Sequence, residues 1–224
     1  MAKVKGPLLS LGASGQIGKS LVFGDWRGVK YAREHVVPAN PNTTAQQLTR
    51  NTFTGADDQF KRMLTLAQAV WDASAVGKPF TARNKFISTF VRNLRGDADM
   101  TDYQGSPGVN GGLPLLSFTP VTGGGAGEID VVAEIPPEPV GWTHDAVIYT
   151  AFLDRDPADP MTDFMEELES LAAAWAPGPP PVSSDTLTGL LTGQDYAVSA
   201  WLRSTRADGV TAYGIGSTDI ITAG

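Results

Sequence analysis

Val37-Pro-Ala-Asn-Pro-Asn-Thr-Thr-Ala-Gln-Gln-Leu-Thr-Arg50 is the stretch where the chain changes character. Pro38 and Pro41 each lack a backbone N–H and push the preceding residue out of the α region, so an extended run reaching them cannot slide into a helix. Thr43 with Gln46 three residues on fits a capping box, in which the hydroxyl takes an orphan helix N–H and the amide reaches back to the cap. A strand is therefore predicted to stop here and a helix to start.

On the N-terminal side, Ser20–Phe23 and Val29–Val37 read as two strands joined by the glycine-bounded turn Gly24-Asp-Trp-Arg-Gly28. On the second strand Val29, Tyr31, Arg33, His35 and Val37 share one face, and Lys30, Ala32, Glu34 and Val36 the other. Neither face is cleanly apolar, and a two-stranded ribbon is marginal alone in water, so the hairpin needs something to lean on. Residues 6 to 20 carry four glycines and small polar residues between isolated aliphatics. Ordering such a segment costs much entropy for little buried area, which predicts an extended arm that is ordered by something else.

On the C-terminal side, a first helix is predicted from about Thr44 to Met63, with Leu48, Phe53, Phe60, Met63 and Leu64 available for its buried stripe. Thr65 with Gln68 repeats the capping-box pattern and opens a second helix through Trp71 to Ala75, before Gly77 and Pro79. A third, about Thr81 to Leu94, lines up Phe86, Ile87, Phe90, Val91 and Leu94 on one face and leaves Arg83, Lys85, Arg92 and Arg95 on the other. The core expected of this small bundle is Leu48, Phe60, Trp71, Phe86 and Phe90.

Residues 96 to 112 are glycine-rich and polar, and read as a domain boundary. Beyond them the period becomes that of strands: Leu115–Thr119, Glu128–Ile135, Ala146–Asp154, Thr186–Leu190, Tyr196–Arg203 and Val210–Ile221, with turn signals such as Gly123–Gly127 and Asp208-Gly209 between. Short strands at this spacing predict a sandwich. Met161–Trp175, with Phe164, Leu168, Leu171 and Trp175 at helical spacing between prolines, reads as an inserted acidic amphipathic helix.

Composition narrows the function. The chain has 224 residues, 42% of them hydrophobic, and no apolar run approaching the ~18 residues of a membrane span. Met-Ala-Lys-Val-Lys-Gly-Pro-Leu-Leu is too short an apolar start for a signal peptide, so a soluble protein without an export signal is expected. With no cysteine there is no disulfide, thiolate metal site or Cys nucleophile, and His35 and His144 stand far apart. The net charge of −7 hides a split: up to Gly112 there are 14 Lys+Arg against 8 Asp+Glu, and from Leu113 onward 3 against 16. Opposite signs favour contacts between copies or with a charged partner. The basic residues are spread out rather than clustered with aromatics, which argues against nucleic acid.

Two patterns suggest chemistry and are discounted. Ala13-Ser-Gly-Gln-Ile-Gly-Lys-Ser20 fits a loose phosphate-binding loop, but that mechanism needs a helix opening at the Lys-Ser, and Leu21 onward alternates like a strand. Glu166, Glu167 and Glu169 are surface carboxylates with nothing to shift their pKa values. No catalytic, cofactor-binding or metal-binding residues are expected, and no cofactor.

Gly6-Pro-Leu-Leu-Ser-Leu-Gly-Ala-Ser-Gly-Gln-Ile-Gly-Lys19, the hairpin with its aromatic and basic residues, Asn40-Pro-Asn-Thr-Thr-Ala-Gln-Gln47, a Trp-bearing helix and an Asn84-Lys-Phe-Ile87 helix together resemble a group of tailed-bacteriophage and prophage structural proteins, over residues 6 to 95. The segment Thr186–Arg203 followed by Ala207-Asp-Gly resembles the late strands of fibronectin type III domains, with Leu190 before the corner, Tyr196 as the tyrosine corner, and Val198 and Ala200 pointing inward.

These resemblances imply an α+β, two-domain chain. An extended arm (1–20) leads to a β-hairpin plus three-helix anchoring domain (21–95), then a linker (96–112) and an Ig-like, fibronectin type III-like β-sandwich (113–224) with one inserted helix. The implied function is a non-enzymatic virion component, in capsid decoration, neck, collar or tail, made in the host cytoplasm. It assembles with other copies of itself and other virion proteins, and needs no small-molecule substrate or membrane. Assembly through the arm and hairpin makes Leu9, Leu11, Ile17, Leu21, Phe23, Trp26, Tyr31 and Arg33 the candidate interface residues. The alternative is a host-surface binding module whose contact face is formed by the loops Gly123–Gly127 and Arg203–Gly209.

Overall fold

The computed structural model describes residues 2–3, 15–18, 20–37, 39, 42–158, 165–171 and 180–224. The chain falls into two compact units, Met1–Thr43 and Thr44–Gly224, and each is described by itself.

The first unit is an antiparallel sheet of β1 (Ala2–Lys3), β2 (Gly15–Ile17), β3 (Leu21–Trp26) and β4 (Val29–Glu34), in the order β1-β4-β3-β2. The hairpin turn is tighter than the five residues expected. Asp25 and Trp26 continue the ladder as far as the Trp26↔Val29 pair, and only Arg27 and Gly28, at φ 51° and 77°, make the turn. Two positive φ values are those of a type I′ turn, whose twist matches that of the strands. The Gly28 N–H donates to Asp25 Oδ1 at 2.9 Å, closing it from the side. The arm expected over residues 1–20 contributes two short strands: each outer edge of a lone hairpin carries unpaired backbone groups, and residues 2–3 and 15–17 satisfy some of them. The rest of that arm, with Leu9 and Leu11, lies outside the described residues.

The second unit starts with α1 (Thr44–Arg62), α2 (Thr65–Ala75) and α3 (Ala82–Leu94). Thr81 caps α3, its hydroxyl accepting the Asn84 N–H at 3.2 Å. The second capping box does not form. Leu64, extended at φ −78° and ψ 173°, takes the N-cap of α2 without a side-chain bond, which leaves Thr65 already helical. In α1 the inward stripe is Thr52, Gly55, Ala56, Gln59 and Phe60. Phe53 lies one position round from that stripe and is 54% exposed, while Leu48 is half-buried, so neither completes the core as expected. Phe86 is its centre: Phe60 and Phe90 each lie 5.6 Å from it between ring centroids, and Trp71 meets it edge-on at 5.0 Å.

Residues 96–112 do not act as a linker. Met100, Tyr103 and Ser106 are buried, and Pro107–Val109 form β5. Tyr103 bridges Phe90 of α3, 6.5 Å away, and Phe152, 4.7 Å away. Trp71 Nε1 donates to the Gly105 carbonyl at 3.1 Å, and Ser106 Oγ to the Gly214 carbonyl at 2.6 Å. The glycines here serve close approach rather than flexibility: a Cβ on Gly105 would lie 2.7 Å from Trp201 Cζ3 and collide with the Ser199 side chain.

The remaining strands are β6 (Ser117–Thr122), β7 (Ile129–Glu134), β8 (Trp142–Leu153), β9 (Met165–Leu171), β10 (Val182–Leu187), β11 (Asp195–Arg206), β12 (Thr211–Ile215) and β13 (Ser217–Thr222). They form a small sheet, β10-β7-β6, and a larger one, β5-β12-β11-β8-β9, with β13 also on β11. All pairings are antiparallel. The central strands β8 and β11 are buried on both faces, which explains their near-continuous apolar runs. Val147, Tyr149, Ala151, Tyr196, Val198, Ala200 and Leu202 pack with Ile129, Val131 and Ala133 of the small sheet. Their neighbours of opposite parity, Ile148, Phe152, Ala197 and Trp201, pack with the helices. The result is α+β, with two facing antiparallel sheets compatible with a β-sandwich and helices on the outer side of the larger sheet.

The helix expected over Met161–Trp175 is a correction. Met165–Leu171 is a strand along β8, running from Phe152↔Met165 to Ala146↔Leu171. The outer edge of the long strand β8 offers a row of backbone donors and acceptors, and filling it outweighs the helical spacing of Leu168 and Leu171.

Candidate interaction surfaces

Register sorts the N-terminal sheet into two unlike faces. Ile17, Leu21, Phe23, Asp25, Lys30, Ala32 and Glu34 share one, which therefore holds both carboxylates of the two long strands. Val22, Trp26, Val29, Tyr31 and Arg33 share the other. There Tyr31 lies across Gly24, where a Cβ would sit 2.6 Å from Tyr31 Cζ, so glycine is what lets the ring lie flat. The Arg27 guanidinium stands 5.5 Å from the Trp26 ring centroid, a cation–π distance. Trp26 is 57% exposed and Val29 44%. The six described candidates thus do not form one surface: Ile17, Leu21 and Phe23 lie on one side, and Trp26, Tyr31 and Arg33 on the other. Phe23 is the one buried residue among the described side chains of this unit.

The described residues of the phosphate-loop pattern are strand and turn. Gly15–Ile17 is a strand, Gly18 and Ser20 lie in the following turn, and Leu21–Trp26 is again a strand. Ser20 Oγ donates to the Ile17 carbonyl at 3.4 Å. Among the described residues a strand rather than a helix N-terminus follows Ser20, which is not the setting that aims helix amides at a phosphate.

A groove between α1 and α3, of about 750 Å³, is floored by Phe53, Ile87 and Val91 and edged by Arg92 and Arg95. Sequence reading does not show it, because it places Phe53 among the residues available for the buried stripe of the first helix. Nearby, Asp57 of α1 binds Lys61 at 2.8 Å and also pairs with Arg83 of α3. The Lys61 hydrogen bond and, behind it, the Arg83 pair hold the Asp57 carboxyl below its ordinary range against the opposing effect of burial.

The outer face of the small sheet is open. Asp130, Val132 and Glu134 of β7 point away from the core, beside Thr119 and Val121 of β6 and Ser184 and Thr186 of β10. Val121 and Val132 are exposed. Thr186 Oγ1 donates to Asp130 at 2.7 Å.

The two loops expected to make one contact face lie at opposite ends of the sheets. Gly123–Gly127 joins the Leu190 turn and the C-terminus, through Leu190 N–H to the Gly127 carbonyl at 3.0 Å and Gly127 N–H to the Gly224 carbonyl at 2.6 Å. The turn after β11 instead meets the loop before β8, Ala207 N–H donating to the Gly141 carbonyl at 2.7 Å. Between these ends run the six residues of β7. The second end displays the fully exposed Val140 and a Trp142–Arg206 stack at 5.6 Å.

His144 is buried, with Nδ1 2.9 Å from Ser204 Oγ and Nε2 2.9 Å from the Pro136 carbonyl. It ties β8 to β11 beside their register shift and to the preceding loop, a packing role. Burial pushes the Tyr149 hydroxyl up to about 12, although Ser183 Oγ accepts from it at 2.8 Å. Burial also raises Asp154, whose Oδ1 takes the Met100 N–H at 2.8 Å. Among the described residues, no three His, Asp or Glu side chains stand close enough to hold a metal ion, and no helix is long and apolar enough to cross a membrane. No protein-family model, curated protein or solved structure matches this chain.

Proposed function

We propose that the chain is a non-enzymatic structural component of a bacteriophage virion, which assembles through its N-terminal region and displays an Ig-like, fibronectin type III-like sandwich. The observation that carries this reading is the N-terminal sheet. It is a compact unit distinct from Thr44–Gly224, yet it leaves Trp26 and Val29 exposed. A small sheet with so little buried apolar area gains its stability from whatever covers it.

The strand order supports the sandwich reading: β6, β7 and β10 form one sheet, and β8, β9, β11 and the last strands the other. So does Tyr196, which is buried and whose hydroxyl accepts the Leu191 N–H at 2.9 Å, the geometry of a tyrosine corner. Host-surface recognition is the second reading, favoured by Val140 and the Trp142–Arg206 stack at one end.

Deleting residues 1–20 tests the first reading, since it removes β1 and β2. Incorporation into particles is expected to be lost while Thr44–Gly224 keeps its circular dichroism and melting transition. Normal incorporation refutes it.

A further inference from the structure

Helices pack on the outer side of the large sheet, whereas among the described residues no helix packs on the outer side of the small one, where Val121 and Val132 are exposed. That side is acidic: it carries two carboxylates, Asp130 and Glu134 of β7, and β6, β7 and β10 hold no Lys or Arg. Val121 and Val132 lie exposed among them, around a shallow hollow of about 530 Å³. The three cations beyond Leu113 are Arg155, which follows β8, and Arg203 and Arg206 in β11, all belonging to the large sheet or its connections.

The N-terminal unit carries the opposite character. Residues 1–43 hold six Lys+Arg against two Asp+Glu, and residues 44–224 hold 11 against 22. Both acids of the small unit, Asp25 and Glu34, lie on the Phe23 side. The Trp26–Val29–Tyr31 side has Arg33 within it and Arg27 over Trp26, and no carboxylate among the described residues. Its long strands have six residues each, as do β7 and β10.

We propose that the Trp26–Val29–Tyr31–Arg33 face of one copy packs on the Val121–Asp130–Val132 face of a second copy, sheet against sheet. Apolar side chains meet in the middle, and Arg27 and Arg33 meet Asp130 and Glu134 at the rim. Such faces stack about 10 Å apart and interdigitate, and the charges set partner and register. Because the two faces differ, the contact is head-to-tail and propagates into a ring or a filament rather than closing as a two-fold dimer. The contact rests on the reading that the chain assembles through its N-terminal unit, not on the assembly being viral.

Sedimentation of the full chain over a concentration series tests it. Wild type is expected to associate, and to dissociate as salt screens the rim. Arg33→Glu replaces a cation of the basic face with a carboxylate that meets the carboxylates of the acidic one. Val132→Lys places a cation against Arg33. Each single change weakens association about tenfold or more, with circular dichroism unchanged, and Arg33→Glu combined with Val132→Lys restores it to within about threefold of wild type. A monomeric wild type, unchanged association in Val132→Lys, or failure of the double variant to recover overturns the contact. If Trp26→Ala abolishes association while Val132→Lys does not, assembly through the N-terminal unit stands and its partner lies elsewhere. Phe53→Arg then shows whether the α1/α3 groove is the partner.

Discussion

Trp71→Phe probes the claim that the helices and the sheets share one core. Trp71 is fully buried, meets Phe86 edge-on and reaches across to the Gly105 carbonyl. Phenylalanine keeps the edge contact in reduced form and loses the N–H. The lost hydrogen bond is worth about 1 kcal/mol. An indole exceeds a phenyl ring by roughly 40 Å³, and at ~24 cal/mol per Å³ of residual cavity this adds about 1 kcal/mol. The sum, about 2 kcal/mol, corresponds to a fall of about 4–8 °C in Tm for a chain of this size. Denaturant titration is followed both by helical circular dichroism and by hydrogen exchange of the β7 and β11 amides. If 96–112 stitches one core together, both signals shift by the same 2 kcal/mol or so. A helix transition that moves alone, with β7 and β11 exchange unchanged, refutes the shared core and restores 96–112 as a linker between independent domains.

Gly105→Ala drives a methyl group into Ser199 and Trp201 and is expected to cost about 1–3 kcal/mol, whereas Gly124→Ala, with open space around it, stays within about 0.5 kcal/mol of wild type. Equal melting temperatures for the two variants contradict this packing. Tyr196→Phe removes the acceptor for the Leu191 N–H and should cost about 1 kcal/mol, read by denaturant titration; no change means that water already serves that amide. Asp154 supplies a pH test. Burial chiefly, with Asp99 and Asp195 adding to it, raises its pKa above 3.8, while the Met100 N–H opposes the shift. A carboxyl with a raised folded pKa binds its proton more tightly in the folded state, so stability falls as pH climbs from the unfolded value through the folded one. Asp154→Asn keeps an acceptor for Met100, so it is expected to melt higher than wild type at pH 7 and to lose that advantage below about pH 4. An advantage that persists at pH 3 points to some cause other than this titration.

What the sequence made legible follows from how strongly each segment is constrained on its own. The three helices and the strands β7, β8 and β11 were readable because periods of 3.6 and 2 are imposed by well-buried faces, whereas β5 and β9 were not, and β12 and β13 read as one strand. Trp26, Tyr31 and Arg33 stand out as contact candidates by their chemistry, but their separation from Leu21 and Phe23 is set by the Trp26↔Val29 register, which depends on where the turn closes. Phe53 was misassigned because the α1 stripe is narrow: Gly55 and Ala56 are its buried members, and small residues leave little hydrophobic signal to fix its phase. The open face of the small sheet escaped notice because Val132 looks like core until β7 is phased by Ile129, Val131 and Ala133.

The two larger misreadings share a cause, a local signal weighed without its partner. Met165–Leu171 has helical spacing, yet the unfilled edge of β8 decides its conformation. Residues 96–112 have the glycine content of a linker and coincide with the change in charge, but net charge is a property of surfaces and carries no information about whether a core continues beneath them. Here it does continue, from Trp71 through Gly105 to Trp201. The chain divides instead between Thr43 and Thr44, directly after the two prolines. β4 ends with the Leu21↔Glu34 pair, short of the Val37 expected from the prolines, and the units divide farther on, where α1 opens at Thr44.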